Sequence, residues 1–311
     1  MNENIELRKY VDMHTHSTHS DGTCSVSEIL ELAEKREMAI LAITDHNVVE
    51  AYEDLKNLEI RNKFKGKIIP GCEVTTTYNG EVIEVLAYKI DFEKFREKLA
   101  ENTLTDRDRR LRKYKVSCMT VDTLCKLGVR FRDNFGDEIY KNPRQFYDNR
   151  NEAVMDGILR EIKSFEENAR FFGGLENMKK LTAKEFVRKM LYNPKSDLYI
   201  DQSAIYPSLE KVLEIIHECG GLAFLAHLYV YSESVAENLD NIVEKYDLDG
   251  IETYYTLFTE EQIEYLKKYT AIHNLYKSGG SDFHGERKQN HDLGIGRGNL
   301  RVPKEIIEEW L

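Results

Sequence analysis

Two histidines stand two residues apart in Asp12-Met13-His14-Thr15-His16, and Ser20-Asp21-Gly22 follows closely. Residues 8–16 read as a buried strand, along which side chains alternate between faces. Val11, Met13 and Thr15 then share one face, and Asp12, His14 and His16 share the other. Two imidazoles leaving one strand face, with a carboxylate just beyond, make a metal-ligand arrangement. A single H-x-H also arises by chance, so repetition has to decide the matter. An apolar run at 39–44 enters Asp45-His46-Asn47, and another at 67–72 leads to Glu73. Residues 221–226 end on His227, and 275–280 lead into Ser281-Asp282-Phe283-His284-Gly285, a second pair at i, i+2. Scattered single histidines do not produce five clusters, each at the end of a strand-like run.

The candidate ligands are His14, His16, Asp21, His46, Glu73, His227, Asp282 and His284. One zinc ion uses about three or four protein ligands, so this set suits two or three divalent ions. Imidazole with carboxylate and no clustered thiolate leaves manganese, iron and zinc all open. A multi-metal site lowers the pKa of bound water, giving hydroxide near neutral pH, and clamps phosphoryl oxygens during displacement.

Such ligands need a scaffold. Strands that are apolar throughout are buried on both faces, as in a parallel barrel, whose chemistry sits at the strand C-terminal ends. A helix is predicted over 25–35, where Ser25 and Glu28 form a capping box, and a second over 49–57. Asn79-Gly80 marks a hairpin turn, followed by a strand at 82–88 that contains Glu84. From 93 to 195 the chain is helix-rich and highly charged, with Arg107, Arg109, Arg110, Arg112, Lys113 and Lys115 in one stretch. Strand–helix alternation resumes near Tyr199. A helix at 209–218 ends at Gly220-Gly221, and a strand at 249–255 precedes a helix at 259–270. The organisation is α/β: one barrel built from 1–92 and 196–311, interrupted by a helical insertion at 93–195.

Composition narrows the function classes. A chain of 311 residues with 41% hydrophobic and 32% charged residues fits one large domain, or one with an insertion. Its net charge of -11 argues against coating duplex nucleic acid, while leaving room for a local phosphate pocket. No run approaches the ~18 apolar residues of a membrane span, and the first residues are polar rather than a signal peptide. Five cysteines without a C-x-x-C pair read as reduced thiols of a cytoplasmic protein, with Cys72 packed in a strand.

Taken in order, His14-Thr15-His16, Ser20-Asp21-Gly22, Thr44-Asp45-His46, Gly71-Cys72-Glu73, Ala226-His227 and Gly280 to Gly285 resemble the successive motifs of the PHP (polymerase and histidinol phosphatase) superfamily. The resemblance implies a distorted seven-stranded (β/α)7, TIM-like barrel and metal-dependent phosphate-ester hydrolysis. The long helical segment resembles the insertion that covers the barrel mouth in the branch acting on nucleotides and short 5′-phosphorylated oligonucleotides. Tyr254-Tyr255 and Gly279-Gly280-Ser281 also resemble that branch. Two positions depart from it. Glu84 stands where the branch carries a histidine ligand; it is expected to be an additional ligand favouring harder ions, or else to leave that corner empty. Leu228 replaces the usual proline after His227.

In that setting, Arg107, Arg109, Arg110 and Arg112 either grip a substrate phosphate or form a solvated helix face. At most one of Tyr254 and Tyr255 faces the site, and Tyr254 and His291 are the candidate substrate contacts. His19 is either a proton donor to the phosphate or leaving group, or a solvated loop residue; His217 and His273 read as structural. The expected partner is a small phosphorylated substrate. The rival readings are a histidinol-phosphate-type phosphatase and a non-catalytic metal- or nucleotide-binding module.

Overall fold

The computed structural model describes residues 7–102, 106–141 and 151–311. Nine strand segments form two sheets among these residues. In the first, β3 (Lys67–Ile68), β2 (Ile40–Leu41), β1 (Tyr10–Asp12) and β9 (Val302–Pro303) lie in that order, parallel except for β9. The second runs β4 (Gly71–Tyr78), β5 (Glu81–Tyr88), β6 (Leu222–Leu225), β7 (Gly250–Tyr255) and β8 (Tyr276–Gly280). Here β6, β7 and β8 are parallel, whereas β5 is antiparallel to both neighbours. The predicted turn explains the reversal: Asn79 and Gly80 both take positive φ (48° and 81°), as a two-residue hairpin requires.

Strand β1 is shorter than the predicted 8–16 because the chain changes sheets at Met13. Beyond Asp12, the Met13 amide donates to Gly279 O at 3.1 Å and the His16 amide to Phe283 O at 2.8 Å. Thr15 bridges Phe283 in parallel, and His46 bridges Glu73. The two sheets are therefore joined along both edges. His14 and His16 follow the end of β1, His46 that of β2, His227 that of β6, and Asp282 and His284 that of β8.

Helix α1 (Val26–Lys35) carries the predicted capping box, with Ser25 N donating to Glu28 Oε2 at 2.7 Å. The helix expected at 49–57 is instead two short turns, Ala51–Asp54 and Leu58–Arg61, because Asn57 is extended and caps the second turn. Every element from α2 (Phe92–Glu101) through α3 (Asp106–Lys126), α4 (Asn151–Lys163) and the π-helical turn Phe186–Leu191 is helical. Phe95 and Leu99 of α2 pack into the β4–β7 core alongside α5 (Leu209–Glu218). A separate core gathers Val116, Leu124, Ile158, Phe186, Leu191 and Ile200. Among the described residues no helix is long and apolar enough to cross a membrane.

Gly280 allows β8 to lie against β1. A Cβ there would sit 2.4 Å from both the amide nitrogen and Cβ of His14. Gly280→Ala is therefore expected to cost about 1–3 kcal/mol of stability, the usual penalty of overpacking, and to displace His14. Chemical denaturation checks the first effect, and an unchanged midpoint would contradict the close approach.

Candidate metal centre

The structure brings all nine predicted ligands together, around Glu73. Glu73 Oε2 lies 3.4 Å from His14 Nε2, 3.3 Å from His16 Nε2 and 3.0 Å from His46 Nδ1. Its other oxygen, Oε1, lies 2.9 Å from His227 Nε2. On one flank, Asp21 Oδ1 faces His16 at 3.7 Å, His46 at 3.7 Å and His284 at 3.1 Å. On the other, Glu84 faces His46 Nδ1 at 3.4 Å and His227 Nε2 at 3.3 Å. Asp282 Oδ1 completes the group, 3.6 Å from His14, 3.4 Å from His16 and 3.3 Å from His284.

These atoms fit divalent cations. His14 Nε2, both His16 ring nitrogens, Asp21 Oδ1 and His284 Nε2 are buried without a hydrogen-bond partner. An unsatisfied buried polar atom costs about 1–3 kcal/mol, and a cation coordinated between them satisfies several at once. Potential ligand atoms of His16, Asp21, His46 and His284 all lie within 4.8 Å of one another, as do those of His14, His16 and Glu73, and those of His46, Glu73 and Glu84.

Three buried carboxylates outside the predicted set hold this geometry. Glu252 Oε1 meets His14 Nδ1 at 2.9 Å, and its Oε2 accepts from the His227 amide at 2.7 Å. Asp12 accepts from the amides of His14 (3.2 Å), Ser281 (2.9 Å) and Gly294 (2.6 Å), and from the Ser281 hydroxyl (2.5 Å). Asp45 ties down the first loop through Ser17 and Ser20. Two ligand positions carry backbone strain, His227 at φ 22° and Asp282 at φ 54°, of the kind that clusters at functional sites. Leu228, at the departure from proline, is buried and begins a short 3-10 turn.

Without a cation the charges rearrange around protons. Burial opposes a charge on His16 and His227, but the adjacent carboxylates, Asp282 and Glu73 for the first and Glu73 and Glu84 for the second, push both up to about 9. Raised imidazoles contribute stability that is complete below their unfolded pKa of about 6.5 and is lost as pH rises through about 9. Chelator-treated protein should therefore lose thermal stability between about pH 6.5 and 9 relative to metal-loaded protein, whose coordinated imidazoles carry no such proton. Parallel Tm–pH profiles for the two forms would contradict this.

A cavity of about 440 Å³ opens beside Asp21, lined by Lys184, Arg188, Arg287, Lys288, Arg297 and His291 among others. The Arg287 guanidinium donates to Asp21 Oδ2 at 2.8 Å, and Lys288 Nζ to Asp282 Oδ2 at 2.6 Å. His291 therefore lies where substrate contact was expected. His19 does not: its Nε2 meets Asp54 at 2.8 Å, and it is not among the residues lining this cavity. Tyr255 rather than Tyr254 reaches the site, its hydroxyl donating to Asp282 Oδ2 at 2.7 Å. A bulge between Glu252 and Tyr254 breaks strand alternation, so Glu252 and Tyr255 both face inward. Arg112 is buried against the Tyr206 ring, away from the cavity wall. The side chains of Arg107, Arg109 and Arg110 lie outside the described residues. Sequence reasoning missed Lys184, Arg188, Arg287, Lys288 and Arg297; only Arg287 and Lys288 carried a signal, their position just after Asp282 and His284.

Residues 12–310 match the sequence profile of the PHP domain. A 5′-3′ exoribonuclease of Haemophilus influenzae is 25% identical over 281 residues, covering 89% of this chain and 91% of its own length. A 3′,5′-nucleoside bisphosphate phosphatase of Chromobacterium violaceum is 22% identical over 286 residues, covering 91% and 90%. The crystal structure of a Bifidobacterium adolescentis protein, to which metal-dependent phosphoesterase activity is ascribed, superposes with a TM-score of 0.58 at 22% identity, over 96% of this chain and 94% of its own. At that identity the structural likeness is one of fold.

Proposed function

This chain belongs to the PHP-domain family, and from that premise we propose that it is a metal-dependent phosphoesterase acting on a nucleotide or a short 5′-phosphorylated oligonucleotide. The observation that carries the reading is the 440 Å³ cavity, in which five cationic side chains gather beside the ligand Asp21 on a chain of net charge -11. Such a concentration of cations suits a phosphorylated ligand. The names of the two relatives, an exoribonuclease and a nucleoside bisphosphate phosphatase, support the nucleotide part. We read the two edge-joined sheets as one distorted barrel, and the helical segment bearing Lys184 and Arg188 as an insertion over its mouth.

The protein's own part is binding and orientation. Bound divalent ions, two or three by donor count and manganese, iron or zinc by donor chemistry, supply water activation and charge neutralisation at phosphorus. Arg287 and Lys288 each hold one oxygen of a ligand carboxylate, leaving Asp282 Oδ1 toward the imidazoles. Both side chains line the cavity, where a guanidinium can grip a phosphate through paired hydrogen bonds. Tyr255 fixes the rotamer of Asp282. Lys184, Arg188 and Arg297, farther along the cavity wall, bind the rest of an anionic substrate.

The test compares a nucleoside bisphosphate, a 5′-phosphorylated dinucleotide and p-nitrophenyl phosphate, with products resolved by chromatography. A preference of tenfold or more in kcat/KM for the nucleotides is expected, with loss under chelation. Equal rates would remove the nucleotide part, and no hydrolysis under any loading metal would remove the reaction. Inorganic phosphate against released mononucleotide separates monoester from diester cleavage.

A further inference from the structure

The two flanks of the centre differ in donor chemistry. At the Asp21 flank, three imidazoles (His16, His46 and His284) surround a single carboxylate. At the Glu84 flank, two carboxylates, Glu73 and Glu84, converge on His227, with His46 Nδ1 at the border. A second cavity, of about 190 Å³, meets the centre only at this flank. It is lined by Glu84 and His227 together with Glu81, Tyr192, Tyr231 and Ser232, and by Arg188, which it shares with the larger cavity. Glu84 keeps 23% of its side chain exposed and Asp21 21%, so each flank opens to its own cavity, whereas Glu73 keeps 1%.

We propose that the centre is chemically two-ended, with a borderline ion such as zinc or iron held at the Asp21 end and a harder ion such as manganese or magnesium held at the Glu84 end. The proposal rests on the metal-centre reading above and names the ions that reading leaves open. Imidazole-rich sets favour zinc and iron, while carboxylate and water favour manganese and magnesium. Glu84 also has the reach to meet an ion from the cavity side, where water completes the coordination of a hard ion.

Metal content and manganese EPR test this without recourse to activity. Stripped protein is loaded with equal zinc and manganese, passed over a desalting column, and then titrated with manganese while the free-ion signal is read. Wild type should retain zinc through the column and bind about one further manganese. Glu84→Ala should weaken that manganese at least tenfold with zinc unchanged. Glu84→His should convert the manganese equivalent into an additional zinc equivalent. Circular dichroism identifies a variant that has not folded; Glu84→Gln, which keeps the side-chain volume, then replaces it and should lose manganese as Glu84→Ala does. Manganese binding indifferent to Glu84, or retained zinc with no manganese beside it, overturns the two-ended centre while leaving the phosphoesterase reading standing. Wild type that takes up neither ion overturns both.

Discussion

Asp282→Ala is expected to abolish phosphate release, by roughly 10³-fold or more, the scale on which an electrostatic stabiliser at a reacting centre is lost. One oxygen of Asp282 faces His14, His16 and His284 at 3.3–3.6 Å. The other takes the Tyr255 hydroxyl and Lys288 ammonium at 2.7 and 2.6 Å. Removing the carboxylate deletes a ligand oxygen and strands a cation beside three imidazoles, so at least one metal equivalent should leave with the activity. The fold should persist, because ligand residues at strand C-terminal ends serve chemistry more than stability. Elemental analysis and a chelator-controlled phosphatase assay check both effects, and full metal with full activity would remove Asp282 from the site.

Glu252→Gln is expected to weaken metal binding by about 10–100-fold, the usual effect of losing a group that orients a metal-ligating histidine. Glu252 meets a donor on each oxygen, His14 Nδ1 and the His227 amide. An amide offers only one acceptor, so its NH₂ must face one of those donors. His14 then loses the partner that fixes its ring, or the strained loop at His227 loosens. Isothermal titration with zinc reads the effect. An affinity within twofold of wild type would reduce Glu252 to packing.

Most of the ligands were legible because they are polar residues ending apolar runs, where polarity has few other uses; Glu84, inside its strand, was legible only through the family resemblance. Glu252 offered a weaker signal as the one carboxylate within 250–255, inside the strand rather than at its end. Tyr254 was the wrong tyrosine of its pair because a bulge shifts alternation by one residue, and no local composition announces a bulge. The hairpin at Asn79-Gly80 was legible in advance, yet its consequence, an antiparallel β5 among parallel strands, depends on which partner β6 finds. The cationic cavity was least legible. Lys184 and Arg188 approach Arg287 and Lys288 from a segment about a hundred residues away, and the conspicuous basic run at 107–115 drew attention elsewhere. Charge density along a chain does not report which charges share a hollow.

The Asp12 carboxylate has a temporal meaning as well. It fastens the His14 amide to Ser281 and Gly294, and its strand is closed on one side by Val302–Pro303. His14 and His16 therefore wait for residues 281–303 to be synthesised before they are set. At about 5–20 residues per second that interval is on the order of tens of seconds, and contacts of such sequence separation form slowly in any refolding experiment. During that interval the imidazoles of His14 and His16 are exposed ligands without a site, open to whatever ion is most abundant. The metal found in isolated protein will thus record the conditions of synthesis as well as the preference of the finished centre. Refolding from denaturant with each ion in turn separates the two.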